Sequence, residues 1–316
     1  MDVQSNGDEL TCHVTLSYLG DMSPNDRAWP ARLGKVGIWS SELRSVPAAP
    51  SEDAAAELDA LGFRALWMPG LNGGPVFDDA ARLLTAAPNA AVSLGVLGIW
   101  HQSAGQLGAD AAAVTARFPG RLLTGLGVSS PESAAAAGRD FGKPLASMSR
   151  YLDALDAAAT PLLAGQRILG ALGLKMAKLA AQRTAGFHPF LVPARASADY
   201  RAHVGAETLL APHLAVVLET DPDRARAIAR AGIGMFIGFP SYQQNLRRLG
   251  FTEADLVPGG SDHLIDELVA WGDLDTVGSR IQHHLDAGAD HVALHVLSDT
   301  PGLPLPQWRR LSGLVT

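Results

Sequence analysis

Eight short apolar runs, separated by alanine-rich stretches, constrain this chain more than any other feature. They are GKVGIW (34–39), FRALWM (63–68), AAVSLGVL (90–97), RLLTGLGV (121–128), RILGAL (167–172), FHPFLV (187–192), HLAVVLE (213–219) and DHVALHVL (290–297). Most are apolar at every position rather than at alternate ones, as strands of a parallel sheet covered by helices on its outer face must be. Helix-end signals lie between them. Ser51 is placed to cap a helix that Gly62 closes, Asp221-Pro222 supplies a cap and a first-turn proline, and Ser261 opens a helix that Gly272 closes. Eight strand–helix units in succession predict an α/β fold, a single (β/α)8 TIM barrel.

The barrel domain is expected over 34–316, after an irregular, loosely attached N-terminal extension, 1–33, in which only Val14 to Leu19 suggests a short strand. Roughly 70 residues separate strand seven from strand eight, too many for one helix. They predict a helical insertion at about 232–272, with helical stretches at 241–249 and 261–271 and the aromatics Phe236, Phe239 and Tyr242. Such an insertion covers one side of the barrel mouth, as a substrate lid or as a packing or dimerisation element.

Charge and cysteine content exclude several classes of function. Lys+Arg 25 against Asp+Glu 32 leaves a net charge of −7, with no positive field to gather phosphates along a nucleic acid or an anionic membrane. The single cysteine, Cys12, builds neither an intramolecular disulfide nor a cysteine-rich metal site. No apolar run approaches the roughly 20 residues of a bilayer crossing. Asp2, Asp8 and Glu9 stand where a secretory signal would be basic and then apolar. A cytoplasmic setting without membrane contact is the expectation.

Barrel active sites lie at the C-terminal strand ends, and here those ends offer almost no metal ligands. His291 and His295 share a strand face but sit about 13 Å apart at strand spacing, and His283 and His284 diverge on a helix; all four read as partly buried or surface histidines. The only lysines are Lys35, Lys143, Lys175 and Lys178, none at a strand end suited to a Schiff base. No G-x-S-x-G elbow is present. Glycine and small apolar residues dominate instead, which lets backbone approach a flat ring or a phosphate. Ala171-Leu172-Gly173-Leu174-Lys175-Met176 turns from strand to helix through glycine and would present free N–H groups to an anion. Gly125-Leu126-Gly127-Val128-Ser129-Ser130 resembles half of a dinucleotide fingerprint, but the third glycine and the downstream acid are missing, so a Rossmann site is rejected.

The order GKVGIW, LGVLGIW, RLLTGLGVSSPE, ALGLKMAKLAAQRTAGFHPFLV and LDAGADHVALHVL, spanning about 34–298, resembles the bacterial luciferase-like monooxygenase superfamily. More narrowly it is similar to the actinobacterial branch that uses the deazaflavin coenzyme F420. The resemblance implies a luciferase-like barrel with the cofactor at its mouth, its phosphate on the backbone of Ala171 to Met176. It implies a non-prolyl cis peptide in a bulge after strand three, by position Gly95–Val96, followed by Leu97 and Gly98, with Gly127, Val128 and Ser129 beside the ring. Trp39 and Trp100 could wall the ring. The implied chemistry is hydride transfer between the deazaflavin and a small, neutral or apolar substrate, in a homodimer. An FMN-dependent monooxygenase of the same superfamily is the alternative, and a non-catalytic barrel that binds cofactor or ligand is a second. Relatives that oxidise alcohols carry an acid and a histidine after strand two, where this chain has Gly70 and Leu71, and some have a glutamate where it has Ser130. The frequent asparagine after the bulge is Gly98 here, and the usual proline of the phosphate turn is Leu174. His101, near the end of strand three, is the remaining candidate for a substrate or proton-transfer role.

Overall fold

The computed structural model describes residues 29–70 and 74–315; the expected strand at Val14–Leu19, Cys12 and Leu71 lie outside them. In chain order the elements are α1 (Trp29–Leu33), β1 (Val36–Trp39), α2 (Glu42–Ser45), α3 (Ala48–Ala60), β2 (Ala65–Met68), α4 (Val76–Ala86), β3 (Ala91–Leu94), β4 (Leu97–Gly98) and α5 (Ala104–Arg117). Next come β5 (Leu122–Gly127), α6 (Pro131–Ala136), α7 (Pro144–Asp156), β6 (Arg167–Gly170), α8 (Leu174–Arg183), β7 (Gly186–His188), α9 (Ala194–Val204), β8 (Leu209–Leu210) and β9 (His213–Val217). The chain ends with α10 (Pro222–Ile237), α11 (Pro240–Arg248), α12 (Asp262–Leu268), β10 (Val269–Trp271), α13 (Leu274–Asp286), β11 (Val292–Val296) and α14 (Leu305–Leu311).

All paired strands are parallel, in the order β10-β9-β11-β1-β2-β3-β5-β6-β7-β8, with β4 beside β5. The two ends of this order are one piece of chain, because β8 and β9 are a single strand interrupted at Pro212. On one side Ala211 N and His213 N donate to Phe187 O and Pro189 O (3.1 and 2.9 Å). On the other, Leu210 O and Pro212 O accept from Asp290 N and Ala293 N (both 2.9 Å). This closes the sheet between β7 and β11 and makes the (β/α)8 barrel that the apolar runs predict.

Several details differ from the sequence-based reading. The start of the barrel lies before Gly34: Trp29 and Leu33 of α1 are buried at 4% and 0% exposure, and Trp29 Nε1 donates to Gly165 O at 2.7 Å. The two join Ala65, Ala91, Leu123, Ile168 and Leu209 in a cluster at the N-terminal ends of the strands, so this part of the expected extension plugs the barrel. Ser51 lies inside α3 rather than at its cap, and its hydroxyl donates to Leu43 O at 2.6 Å. Gly62 does close that helix, with φ +95°. Asp221 and Ser261 cap α10 and α12 as expected, each accepting from the N–H three residues on.

The long excursion after β9 is organised as α10, α11, α12 and then β10, which pairs with β9 beyond the point where β7 ends. Residues 269–271, expected to be helical, are therefore strand, and Gly272 (φ +135°) ends that strand rather than a helix. Helix α10 runs unbroken through 232, the expected start of the insertion. A second apolar cluster forms where Ala225, Ala229, Ile233 and Ile237 of α10 meet Ala215, Val217 and Leu297, together with Leu264, Ile265 and Leu268 of α12. Phe190, just beyond β7, packs on both this cluster and the barrel interior.

Candidate active site at the barrel mouth

Strand alternation decides which side chains enter the barrel. The interior above the plug is aromatic and histidine-rich. Trp67 of β2 stacks on His188 (centroids 4.5 Å apart, planes at 19°) and on His291 (5.7 Å, 25°). Above them Trp39 lies 4.4 Å from His295, 5.5 Å from His213 and 5.4 Å from Phe190, while Phe190 stacks on His213 at 3.7 Å. Trp39 is thus a buried interior residue, 5% exposed, and its indole N–H donates to Gly95 O at 3.1 Å.

His188, His213, His291 and His295 are buried, which corrects the partly-buried-or-surface reading for His291 and His295; His284, on α13, is also sealed at 1% exposure. Burial opposes their charging. It lowers His188 and His291 to about 4 and His295 to about 3, and holds His213 well below 6.5, helped there by the neighbouring His295 and His188. These imidazoles are neutral at physiological pH. His291 is bonded at both nitrogens, to Gly34 O (2.8 Å) and from Trp67 Nε1 (3.0 Å).

The bulge after β3 sits on this interior. The Gly95–Val96 peptide is cis, where the resemblance places it. A Cβ at Gly95 would lie 3.1 Å from Trp67 Cε3, 3.2 Å from Trp39 Nε1 and 3.3 Å from His188 Nε2, so glycine lets the backbone settle on these rings without displacing them. Val96 turns the other way, and its methyls lie 2.6, 2.9 and 3.2 Å from where Cβ atoms would stand on Gly127, Gly125 and Gly170. The inner face of Gly127 is therefore covered by Val96. Leu97 and Gly98 then pair with Leu126 and Gly127.

The rim continues from there. Val128 O accepts from Trp100 Nε1 at 2.6 Å, and Trp100 packs against Phe141 rather than on the interior rings. Ser129 holds φ +52° and Ser130 caps α6. Exposed His101 meets Ser133 Oγ through Nε2 at 3.0 Å and lies over Gly98, whose absent Cβ would be 3.7 Å from the ring.

Beyond Gly170 comes the expected anion turn. Ala171 is buried, and Leu172 O accepts from Tyr200 Oη (2.7 Å) and Arg248 Nη2 (3.1 Å). Gly173 is the N-cap of α8, and a Cβ there would meet nothing within 4 Å. Its carbonyl accepts from Met176 N and Ala177 N (3.0 and 3.1 Å). The N–H groups of Leu174 and Lys175, in the first turn, have no backbone acceptor among the described residues. Lys175 is exposed at the same helix end. Arg248, from α11, adds a second cation that the strand-end reading missed.

The bulge, the end of β5 and the turn after β6 thus form one arc of backbone, touching through Val96 and Gly170, with Trp39 beneath the bulge. His188, Phe190, His213 and Arg248 went unremarked in the sequence, although the inward alternation 186–188–190 and 211–213–215 was there to read. Among the described residues no three His, Cys, Asp or Glu side chains could hold a metal ion together, and no helix is long and apolar enough to cross a membrane.

No family model matches the chain, and no curated protein matches it by sequence. Solved structures do. An F420-dependent secondary alcohol dehydrogenase in complex with an F420–acetone adduct superposes with a TM-score of 0.69 at 13% identity, over 89% of this chain and 98% of that one. The coenzyme F420-dependent tetrahydromethanopterin reductase from Methanopyrus kandleri gives 0.69 at 15% identity, over 89% and 97%. The oxygenating constituent of 3,6-diketocamphane monooxygenase from Pseudomonas putida, in complex with FMN, gives 0.65 at 15% identity, over 89% and 96%. The fold of this chain is that of the luciferase-like barrels.

Proposed function

We propose that this chain is an oxidoreductase that holds the deazaflavin coenzyme F420 across the barrel mouth and serves hydride transfer to or from a small, neutral or apolar substrate. The observation that carries this reading is the continuous arc from the Gly95–Gly98 bulge to Gly173. A backbone surface resting on glycine adjoins an open helix start whose first N–H groups have no backbone acceptor among the described residues, the two things a flat ring bearing a phosphate needs. The residues fit such a group, because Gly173 leaves open the space a side chain would fill.

When bound, the deazaflavin would supply a two-electron hydride carrier. The chain's part is placement and polarity. Gly95, Val96, Leu97 and Gly98 back the ring, held from below by Trp39 and Trp67; Gly127, Val128 and Ser129 border it. Ala171 to Met176 take the phosphate, with Lys175 and Arg248 adding positive charge. The neutral interior keeps charge and bulk water from beneath the bulge. His101 stands at the rim as a group able to hold a proton at its Nδ1.

A second reading, an FMN-dependent monooxygenase, is favoured by one observation: structures of the same fold include an FMN complex as well as F420 enzymes. A homodimer is part of either reading. The test is titration of the purified protein with F420 and with FMN, followed by tryptophan fluorescence. Micromolar or tighter binding of F420 alone is the expected result. Preference for FMN selects the second reading, and binding of neither rejects both.

A further inference from the structure

Of the four histidines inside the barrel, three are committed to packing. His291 is bonded at both ring nitrogens. His188 donates from Nδ1 to Ala211 O at 2.6 Å and keeps Nε2 sealed without a partner. His213 keeps Nδ1 sealed in the same way. His295 differs. It retains 8% exposure against 2%, 0% and 0% for His188, His213 and His291, it stands near the C-terminal end of β11, and its Nε2 is not among the sealed unpartnered atoms.

The network also assigns its proton. A sealed lone pair is a less costly orphan than a sealed N–H. His188 obeys this, since the Ala211 carbonyl fixes its proton on Nδ1 and leaves a lone pair on the orphaned Nε2. Applied to His213, the same rule puts the proton on Nε2, which donates to His295 Nδ1 at 3.1 Å. His295 then carries its own proton on Nε2.

We propose that His295 Nε2–H is the hydrogen-bond donor of a substrate subsite, which takes the uncharged oxygen of an apolar carbonyl or hydroxyl compound walled by Trp39 and Phe190. The proposal rests on the functional reading above for the site's role and gives it a substrate class. Trp39 lies 4.4 Å from His295, and Phe190 packs on Trp39 and continues outward through Phe236 (5.2 Å) and Tyr242 (6.4 Å) as an aromatic wall. Among the described residues the rings packed on His295 are Trp39 and His213, neither of them charged, so a carboxylate or ammonium placed there would gain no countercharge from these walls. A neutral imidazole suits this task, because it polarises an oxygen without bringing charge into the interior.

The test uses the full-length protein with histidine side chains labelled in 15N, and three probes of one shape: cyclohexanone, methylenecyclohexane and cyclohexanecarboxylate. Cyclohexanone is expected to shift the His295 Nε2 resonance while that of His291 stays still. It should also bind roughly three- to tenfold tighter than methylenecyclohexane, the difference one hydrogen bond makes. His295→Met should erase that preference and His295→Gln, which restores an N–H donor, should recover part of it. No shift at His295, equal affinity for ketone and alkene, or tighter binding of the carboxylate overturns the proposal. The wild-type spectrum needs no variant, so the test survives a variant that fails to fold. Titrating F420 and FMN into the same samples separates the two levels. Coenzyme binding with a silent His295 overturns the subsite alone, and a ketone contact without coenzyme binding overturns the functional reading alone.

Discussion

Two glycines of the proposed site fail in opposite ways when they gain a side chain, and the contrast separates folding from binding. At Gly95 the new methyl of Gly95→Ala would press on Trp67, Trp39 and His188 at 3.1 to 3.3 Å, all buried rings with little room to yield. Overpacking of this kind costs about 1–3 kcal/mol, so the midpoint of urea unfolding should fall, with cofactor affinity falling alongside it. An unchanged midpoint would mean that the bulge does not rest on these rings. At Gly173 the backbone has φ −102°, which any residue adopts, and the space beyond is open. Gly173→Asp should therefore leave the unfolding midpoint where it is. It should weaken F420 or FMN by more than about tenfold, because a carboxylate then occupies the anion's place at the helix start. Equal affinities in parallel titrations would move the phosphate away from this turn.

At the scale of elements, the end of β2 is held by a buried ion pair. Arg44 of α2 donates from Nε to Asp79 Oδ2 of α4 at 2.8 Å, the side chains being 5% and 9% exposed, and from Nη1 to Pro69 O and Gly70 O at 2.9 and 2.8 Å. Asp79 Oδ1 also accepts from Arg82 Nη2 at 2.7 Å, so removing Arg44 leaves the carboxylate one cation and costs less than the roughly 3–5 kcal/mol of a fully stranded buried charge. Arg44→Leu, which keeps the Arg82–Asp79 pair but leaves Pro69 O and Gly70 O without this donor, should lose about 1–3 kcal/mol in denaturant titrations and speed amide exchange at Gly70, whereas an unchanged midpoint would show that the pair is solvated in solution. How much of the elements could be read in advance follows from what stabilises them. The barrel strands announced themselves because a strand covered on both faces needs apolar residues at every position, and the α8 start because close backbone approach needs glycine; the bulge was placed by the family resemblance. Strand β10 did not. Leu264, Ile265, Leu268 and Val269 keep helical spacing up to the strand, and only the open edge of β9 turns 269–271 into strand. The interior histidines were hidden for a related reason: chemistry is expected beyond the strand ends, whereas His188 and His213, which went unremarked, and His295, which reads as partly buried or surface, lie within or beside strands, where alternation rather than position at an end decides that they face inward.

For the whole molecule, the consequence of a histidine-lined core is a stability that depends on pH. His188, His284 and His291 are lowered to about 4 and His295 to about 3, with His213 well below its ordinary value, in each case chiefly by burial. Unfolding returns each to about 6.5. Between these values the unfolded chain binds protons that the folded chain refuses, so stability is full about one pH unit above 6.5, begins to fall around 6.5 and drops most steeply from there toward 4. Each histidine adds up to about 1.4 kcal/mol of loss per pH unit over that window. Carboxylates held low by partners, such as Asp266 beside Arg226 and Asp273 at the start of α13, act in the same direction but only nearer pH 4 and below, so the upper part of the window belongs to the histidines. Urea unfolding at pH 7.5, 6.5, 5.5 and 5.0 should show a midpoint that declines gently between the first two and falls more steeply with each further drop in pH. Replacing His284, which lies outside the barrel interior against Ser197, by glutamine should make that fall shallower by about one proton's worth without disturbing the mouth. A midpoint that stays level down to pH 5 would mean that these rings are charged and hydrated in solution, and would remove the neutral interior on which the proposed site is built.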